Sequence, residues 1–231
     1  DWYHLIRARH YKSIGLKPEP VFDAISQLRE DGPLAIERVD GLSEVALMKG
    51  DLETSVKHDS EILDQKRFSQ ILPKRAIKIA LRRLESYWKL RAYQDVVTKA
   101  GYTLLQYGTN TESLNNLDRA RELRALALYE LKNYREAVTA FQEILNLKSN
   151  HPKRKEFEYK LGKALVASGH KKEGFETFRG LAKAEDTKES GSKGGDDIWK
   201  KSAQAELEQQ QWEEGIGEAL ENTKKTKTGG L

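Results

Sequence analysis

One helical unit returns several times along this chain, and that repetition limits what it can fold into more than any other feature. The clearest copy is "RARELRALALYELKNYREAVTAFQEILNL", running from Arg119 to Leu147. Leu123, Leu126 and Leu128 stand among strong helix formers, Asn133 supplies a turn, and Ala137, Phe141 and Leu145 follow at four-residue spacing. Four-residue spacing stacks side chains on one helix face, so the segment reads as two helices joined by a turn. Such a hairpin cannot bury its apolar face alone and has to stack on copies of itself.

The copies are present. "KEFEYKLGKALVASGHKKEGFETFRGLAKAED", from Lys155, places Leu161 and Gly162 in its first half, Gly169 at the turn, Gly174 at the small position and Phe178 at the aromatic one. "DIWKKSAQAELEQQQWEEGIGEAL" offers Trp199, Ala203, a turn aromatic at Trp212 and Gly215 as the small residue. "AIKIALRRLESYWKLRAYQDVVTKAGYTLLQYG" keeps Tyr87, Tyr93 and Ala100 but has Val96 where a small residue belongs. A further unit at 36–63 keeps a turn at Gly50 and Asp51 without the aromatics. Small residues recur because two helices that cross closely leave no room for a larger side chain, and the aromatic fills the gap to the next unit.

A Tyr opening the second helix, then Ala, then an aromatic four later (Tyr134, Ala137, Phe141) resembles the tetratricopeptide repeat, or TPR. The resemblance implies an all-α fold, a right-handed superhelical solenoid of antiparallel helix pairs. The turn positions Tyr93, Tyr134, Lys171 and Trp212 lie farther apart than the roughly 34 residues of a strict repeat. The excess is visible as turn- and linker-rich padding at 109–116, 148–155 and 189–197. The expected organisation is a helical hairpin over 1–35, divided at Pro18 and Pro20. Repeats over 36–229 follow at about 36–69, 77–110, 118–151, 155–188 and 196–229, with a frayed basic tail at 223–231.

Composition agrees with thin helical layers. Charged residues make up 33% of the chain and prolines number only 5, and β-branched residues never gather into alternating runs. Lys and Arg total 40 against 36 Asp and Glu, a diffuse net charge of +4 that weighs against nucleic acid as the partner. Zero cysteines exclude disulfides and thiolate metal sites. No apolar run reaches the length of about eighteen residues that a membrane span requires, so a soluble chain without membrane insertion is expected. The chain opens at Asp1 without Met or signal sequence. A removed signal peptide, a trimmed chain and an excised domain all fit that start, and a periplasmic or envelope setting and a cytoplasmic one both stay open.

No constellation for chemistry emerges. The histidines at 4, 10, 58, 151 and 170 lack metal-ligand spacing, "SGSKGG" at 190–195 lacks the strand-turn-helix context of a phosphate cradle, and paired carboxylates are explained by helix termini. The expectation is a non-enzyme with no cofactor, no metal and a protein or peptide partner, self-association being open.

In the TPR family the first helix of each unit lines a concave groove, which implies a candidate partner-binding set here of Trp88, Arg119, Glu122, Leu126, Tyr129, Tyr159 and Lys163. Trp88 and Tyr129 have two readings, groove anchors or packing between units. The Lys/Asn clamp by which some family members grip a chaperone's terminal carboxylate is missing: its places hold Leu81 and Glu85, Glu122 and Leu126, and Tyr159 and Lys163. The resulting expectation is a scaffold or adaptor in a bacterial cell-envelope assembly. The alternatives are nucleic-acid binding through Arg7, Arg9, Lys171, Lys172, Lys200 and Lys201, or a helical accessory domain of a larger enzyme.

Overall fold

The computed structural model describes residues 1–68, 70–108, 117–183 and 195–228. Among them are eleven α-helices and no strand: α1 (Trp2–Ser13), α2 (Pro18–Ser26), α3 (Ala35–Lys49), α4 (Leu52–Asp64), α5 (Pro73–Lys89), α6 (Tyr93–Tyr107), α7 (Asp118–Glu130), α8 (Tyr134–Leu147), α9 (Arg154–Ala167), α10 (Lys171–Lys183) and α11 (Gly195–Thr228). No described helix is long and apolar enough to cross a membrane. The chain divides into two compact units, Asp1–Leu131 with α1–α7 and Lys132–Leu231 with α8–α11. Within each unit, successive helices pack against one another. The padding at 109–116 and the 189–194 part of the last linker lie outside the described residues.

The repeat is written into the backbone as a recurring left-handed residue. Positive φ occurs at Gly15 (70°), Gly50 (77°), Arg91 (58°), Lys132 (59°) and Gly169 (96°), just beyond α1, α3, α5, α7 and α9. At Gly50 the amide donates to the Leu47 carbonyl and the next amide, that of Asp51, reaches back to Ala46; Gly15, Arg91 and Gly169 show the same pair. These bonds satisfy carbonyls that the helix end would leave open, and they reverse the chain within a few residues. Asp51 then caps α4 by accepting from the Thr54 amide at 3.0 Å, and Pro18 and Pro73 begin α2 and α5 where no amide donor is needed.

Packing differs between the units. In the first, Leu84, Val96, Ala100, Ala120, Leu123 and Ala127 join α5, α6 and α7, and Val39, Ile62, Phe68 and Ile79 join α3, α4 and α5. In the second, aromatic rings carry the contacts: Phe141 meets Phe157 at 5.8 Å, and Tyr159 lies 5.7 Å from Phe178 and 5.5 Å from Trp199. Phe141, Phe157 and Phe178 are all fully buried.

One expectation changes at the C-terminus. A turn was expected at Trp212, but α11 runs unbroken through it. The stretch around Trp212 is Glu, Gln and Ala with no breaker before Gly215, and Gln209 and Gln210 donate to Glu213 and Glu214 one turn on. The helix continues to Thr228, and the last three residues of the basic tail expected at 223–231 lie outside the described residues.

The small positions give a direct check on register. A Cβ on Gly174 would lie 2.6 Å from Val166 Cγ2 and 2.9 Å from the Gly162 carbonyl oxygen, whereas one on Gly101 in α6 would meet nothing within 4 Å. Gly174→Ala should therefore destabilise by about 1–3 kcal/mol through overpacking, outweighing its gain in helix propensity. Gly101→Ala, the same chemical change in open space, should stabilise by about 0.5–1 kcal/mol. Denaturant unfolding of the two variants measures both; a Gly174→Ala protein as stable as Gly101→Ala would show that α9 and α10 do not approach as described.

Candidate functional site

The candidate residues fall into two groups, one in each unit. In the first unit, Trp88 stands on α5, and Arg119, Glu122, Leu126 and Tyr129 recur at three- and four-residue intervals along α7, which places them on one face. Arg119 draws two of its neighbours together. Its Nε and Nη2 donate to the two carboxylate oxygens of Glu85 on α5 at 2.6 and 3.2 Å, and its Nη1 donates to Glu122 at 2.8 Å. The Glu85 bonds raise the Arg119 pKa further, so it is a fixed cation. Trp88 is half-buried, its ring 5.1 Å from Tyr93, and it packs against the core of α5, α6 and α7. Leu126 and Tyr129 are also half-buried.

In the second unit, Tyr159 and Lys163 of α9 converge on one carboxylate of α11. The Tyr159 hydroxyl donates to Glu206 at 3.0 Å, and Lys163 Nζ lies 2.9 and 3.1 Å from its two oxygens. With the Trp199 ring tilted against that of Tyr159 at 5.5 Å, α11 packs on the face of α9 that carries Tyr159 and Lys163. The basic residues weighed for nucleic acid fall on α1, α10 and α11, and the Arg7 guanidinium is engaged by the rings of Tyr3 and Tyr11, each 5.8 Å away.

Sequence reasoning missed a larger polar array in the first unit. Asp59 of α4 is fully buried and accepts from Ser43 of α3 at 2.7 Å and from Arg82 of α5 through both of its oxygens. Arg82 also reaches Asp40 of α3 at 2.8 Å, and Arg75 bridges Asp40 and Glu37 at 3.0 and 2.9 Å. Lys12 of α1 pairs with Glu44 of α3 at 2.6 Å. Among the odd-numbered helices, a base of α1 thus meets an acid of α3 and acids of α3 meet bases of α5, and a pair of the reverse sense, Glu85 of α5 with Arg119 of α7, continues the ladder. The signal in the sequence was charge at i, i+3, i+4 and i+7 on α3 (Glu37, Asp40, Gly41, Glu44), broken by one glycine.

Burial pushes the Asp40 carboxyl up, but Arg82 and then Arg75 more than offset it, leaving it below the ordinary carboxylate range. Asp59, fully enclosed, is instead pushed up by burial despite Arg82. For Asp40 the sign is that of a depressed acid: its stabilisation is complete above its unfolded pKa of about 3.9 and disappears as pH falls through the lower folded value. Arg75→Gln should shrink that acid-labile contribution, so the variant loses less stability than the parent between about pH 4 and pH 2. Urea unfolding at a series of pH values checks it, and equal pH dependence in the two proteins would refute the Arg75 assignment.

No protein-family model matches the chain, and no curated protein matches it. Solved structures do. A putative kinesin light chain of Podosopora anserina with nearly identical TPR-like repeats superposes with a TM-score of 0.56 at 16% identity, over 77% of this chain and 90% of that one. MamA of AMB-1 gives a TM-score of 0.58 at 14% identity, over 77% and 87% of the two chains, and MamA of MSR-1 gives 0.54 at 16%, over 77% and 91%. At such identities the likeness speaks for architecture, and together with the helix order and the recurring turns it gives the chain the TPR-like, all-α fold of stacked helix pairs.

Proposed function

We propose that this chain is a protein-interaction scaffold that holds a partner protein or peptide on the first-helix face of its repeats, without a cofactor and without chemistry of its own. The observation that carries the reading is the Glu85–Arg119–Glu122 cluster beside half-buried Trp88, Leu126 and Tyr129 on α5 and α7. Aromatic side chains give large contact area at little entropic cost, and fixed charges next to them set register more than affinity. Because Arg119 already holds both carboxylates, the apolar residues supply the affinity and the polar cluster selects orientation. The TPR-like neighbours support a scaffold of this general kind. The padded repeat spacing and the C-terminal Trp199 and Trp212 favour a bacterial cell-envelope assembly as the setting.

A photo-crosslinking residue at Tyr129, compared with one at exposed Gln94 on α6, tests the face. Crosslinks to one discrete partner in native extract should form from position 129 and not from 94; the reverse pattern would overturn the assignment. With the partner in hand, Trp88→Ala combined with Tyr129→Ala should weaken it by about 2 kcal/mol or more. Thermal melting of the same variant reads the packing share of Trp88. Full affinity in the double variant would refute the reading, and fractionation that leaves all of the protein in the cytoplasm would refute the envelope setting.

A further inference from the structure

A second feature of the first unit shares α5 with the partner face but uses none of that face's candidate residues. Between α4, α5 and α6 is an open cleft of about 330 Å³. Its charged lining is unequal. Arg83, only 4% exposed, sends Nη1 to both oxygens of Asp64 at 3.1 Å and to Ser60 at 3.3 Å. Lys99 approaches the same carboxylate at 3.0 Å. Two cations thus share one anion, leaving an excess of one positive charge. The Arg83 Nε is buried without an acceptor, an unmet donor of the kind that costs about 1–3 kcal/mol.

The rest of the lining suits a small polar group. Tyr102, 63% exposed, Gln106 and Tyr107 bring further donors and ring surface, and Leu63 and Ala80 add apolar wall. Thr103 is spent on its own helix, its hydroxyl donating to the Lys99 carbonyl at 2.8 Å. Burial raises the Tyr107 phenol above its ordinary value, so its O–H stays a donor at neutral pH. Asp64 would be raised by burial too, but Lys99 and Arg83 hold it below the usual range, so it remains an anion that any ligand must share.

We infer that this cleft is a carboxylate-binding site, engaged by Lys99, Arg83 and Tyr107. One surplus charge beside a fixed carboxylate matches a monoanion. A phosphate dianion would bring repulsion from Asp64 that the two cations do not cover. An acidic side chain or chain end of a bound polypeptide and a free small carboxylic acid offer the same chemistry.

The test is an NMR titration of the whole chain with acetate, with acetyl-glutamate-amide and with inorganic phosphate, reading the Arg83 side-chain Nε–H resonance. The two carboxylates should give a saturable shift. Lys99→Gln should weaken it about tenfold, the scale of one charge-assisted hydrogen bond, without lowering Tm. Asp64→Asn, which removes the internal competitor, should tighten it several-fold, a gain that a purely structural cluster would not show. Tighter binding of acetyl-glutamate-amide than of acetate points to a polypeptide source, and equal binding to a free acid; both uphold the site. No saturable shift, a shift unchanged by Lys99→Gln, or a preference for phosphate would overturn it.

Discussion

A fully buried carboxylate, Asp59 on α4, holds three consecutive helices of the first unit in one register. It accepts from Ser43 on α3 and from Arg82 on α5, and Arg82 continues to Asp40. Removing a charge from water costs several kcal/mol, and the cost is met only if the partners stand in one geometry. A slip of α3 or α5 by one turn would strand both ions. The first unit thus gains from directional bonds what it lacks in shape: the repeat at 36–63 has none of the aromatics that elsewhere fix the spacing between layers. In the second unit Phe141, Phe157 and Phe178 do that work by filling space, and Gly162 and Gly174 by leaving it open; a Cβ on Gly162 would collide with the Phe178 ring.

The same ladder shapes what the first helices can offer a ligand. Charges at Glu37, Asp40, Glu44, Arg75, Arg82, Glu85 and Arg119 are consumed in pairs between neighbouring helices, so a partner meets a largely neutralised face on which half-exposed aromatic and aliphatic side chains decide affinity. In the second unit Glu206 of α11 already takes the contacts that Tyr159 and Lys163 could have given. The proposed partner face therefore rests on α5 and α7, and Tyr159 and Lys163 are residues that seat the last helix.

Much of this was legible in the sequence, wherever one residue type has one use. Gly50 and Gly169 marked turns because a left-handed residue favours glycine, and Ala137, Gly174 and Phe178 marked close crossings and their filler. Arg91 and Lys132 were not legible as left-handed residues, since nothing in their side chains prefers that conformation; for the second turn the sequence pointed one residue on, to Asn133. Trp212 misled because a turn aromatic and an exposed aromatic in a continuous helix look alike when no breaker separates them. Polar partners were the least legible: which of many Arg and Glu residues pair depends on which helices lie side by side, and pattern along one helix carries no such information.

The account stands most directly on the Asp59–Arg82 pair, and a double-mutant cycle in urea measures it. Arg82→Met made singly should cost about 3–5 kcal/mol, because it leaves the buried Asp59 with Ser43 alone, and Asp59→Leu should cost less, because Arg82 keeps Asp40 as a partner. Made together they should cost less than the sum by roughly 2–3 kcal/mol, the coupling expected of ions in direct contact. Single changes that each cost under about 1 kcal/mol and simply add would contradict it, and would mean that α3, α4 and α5 are held in register by something other than that carboxylate.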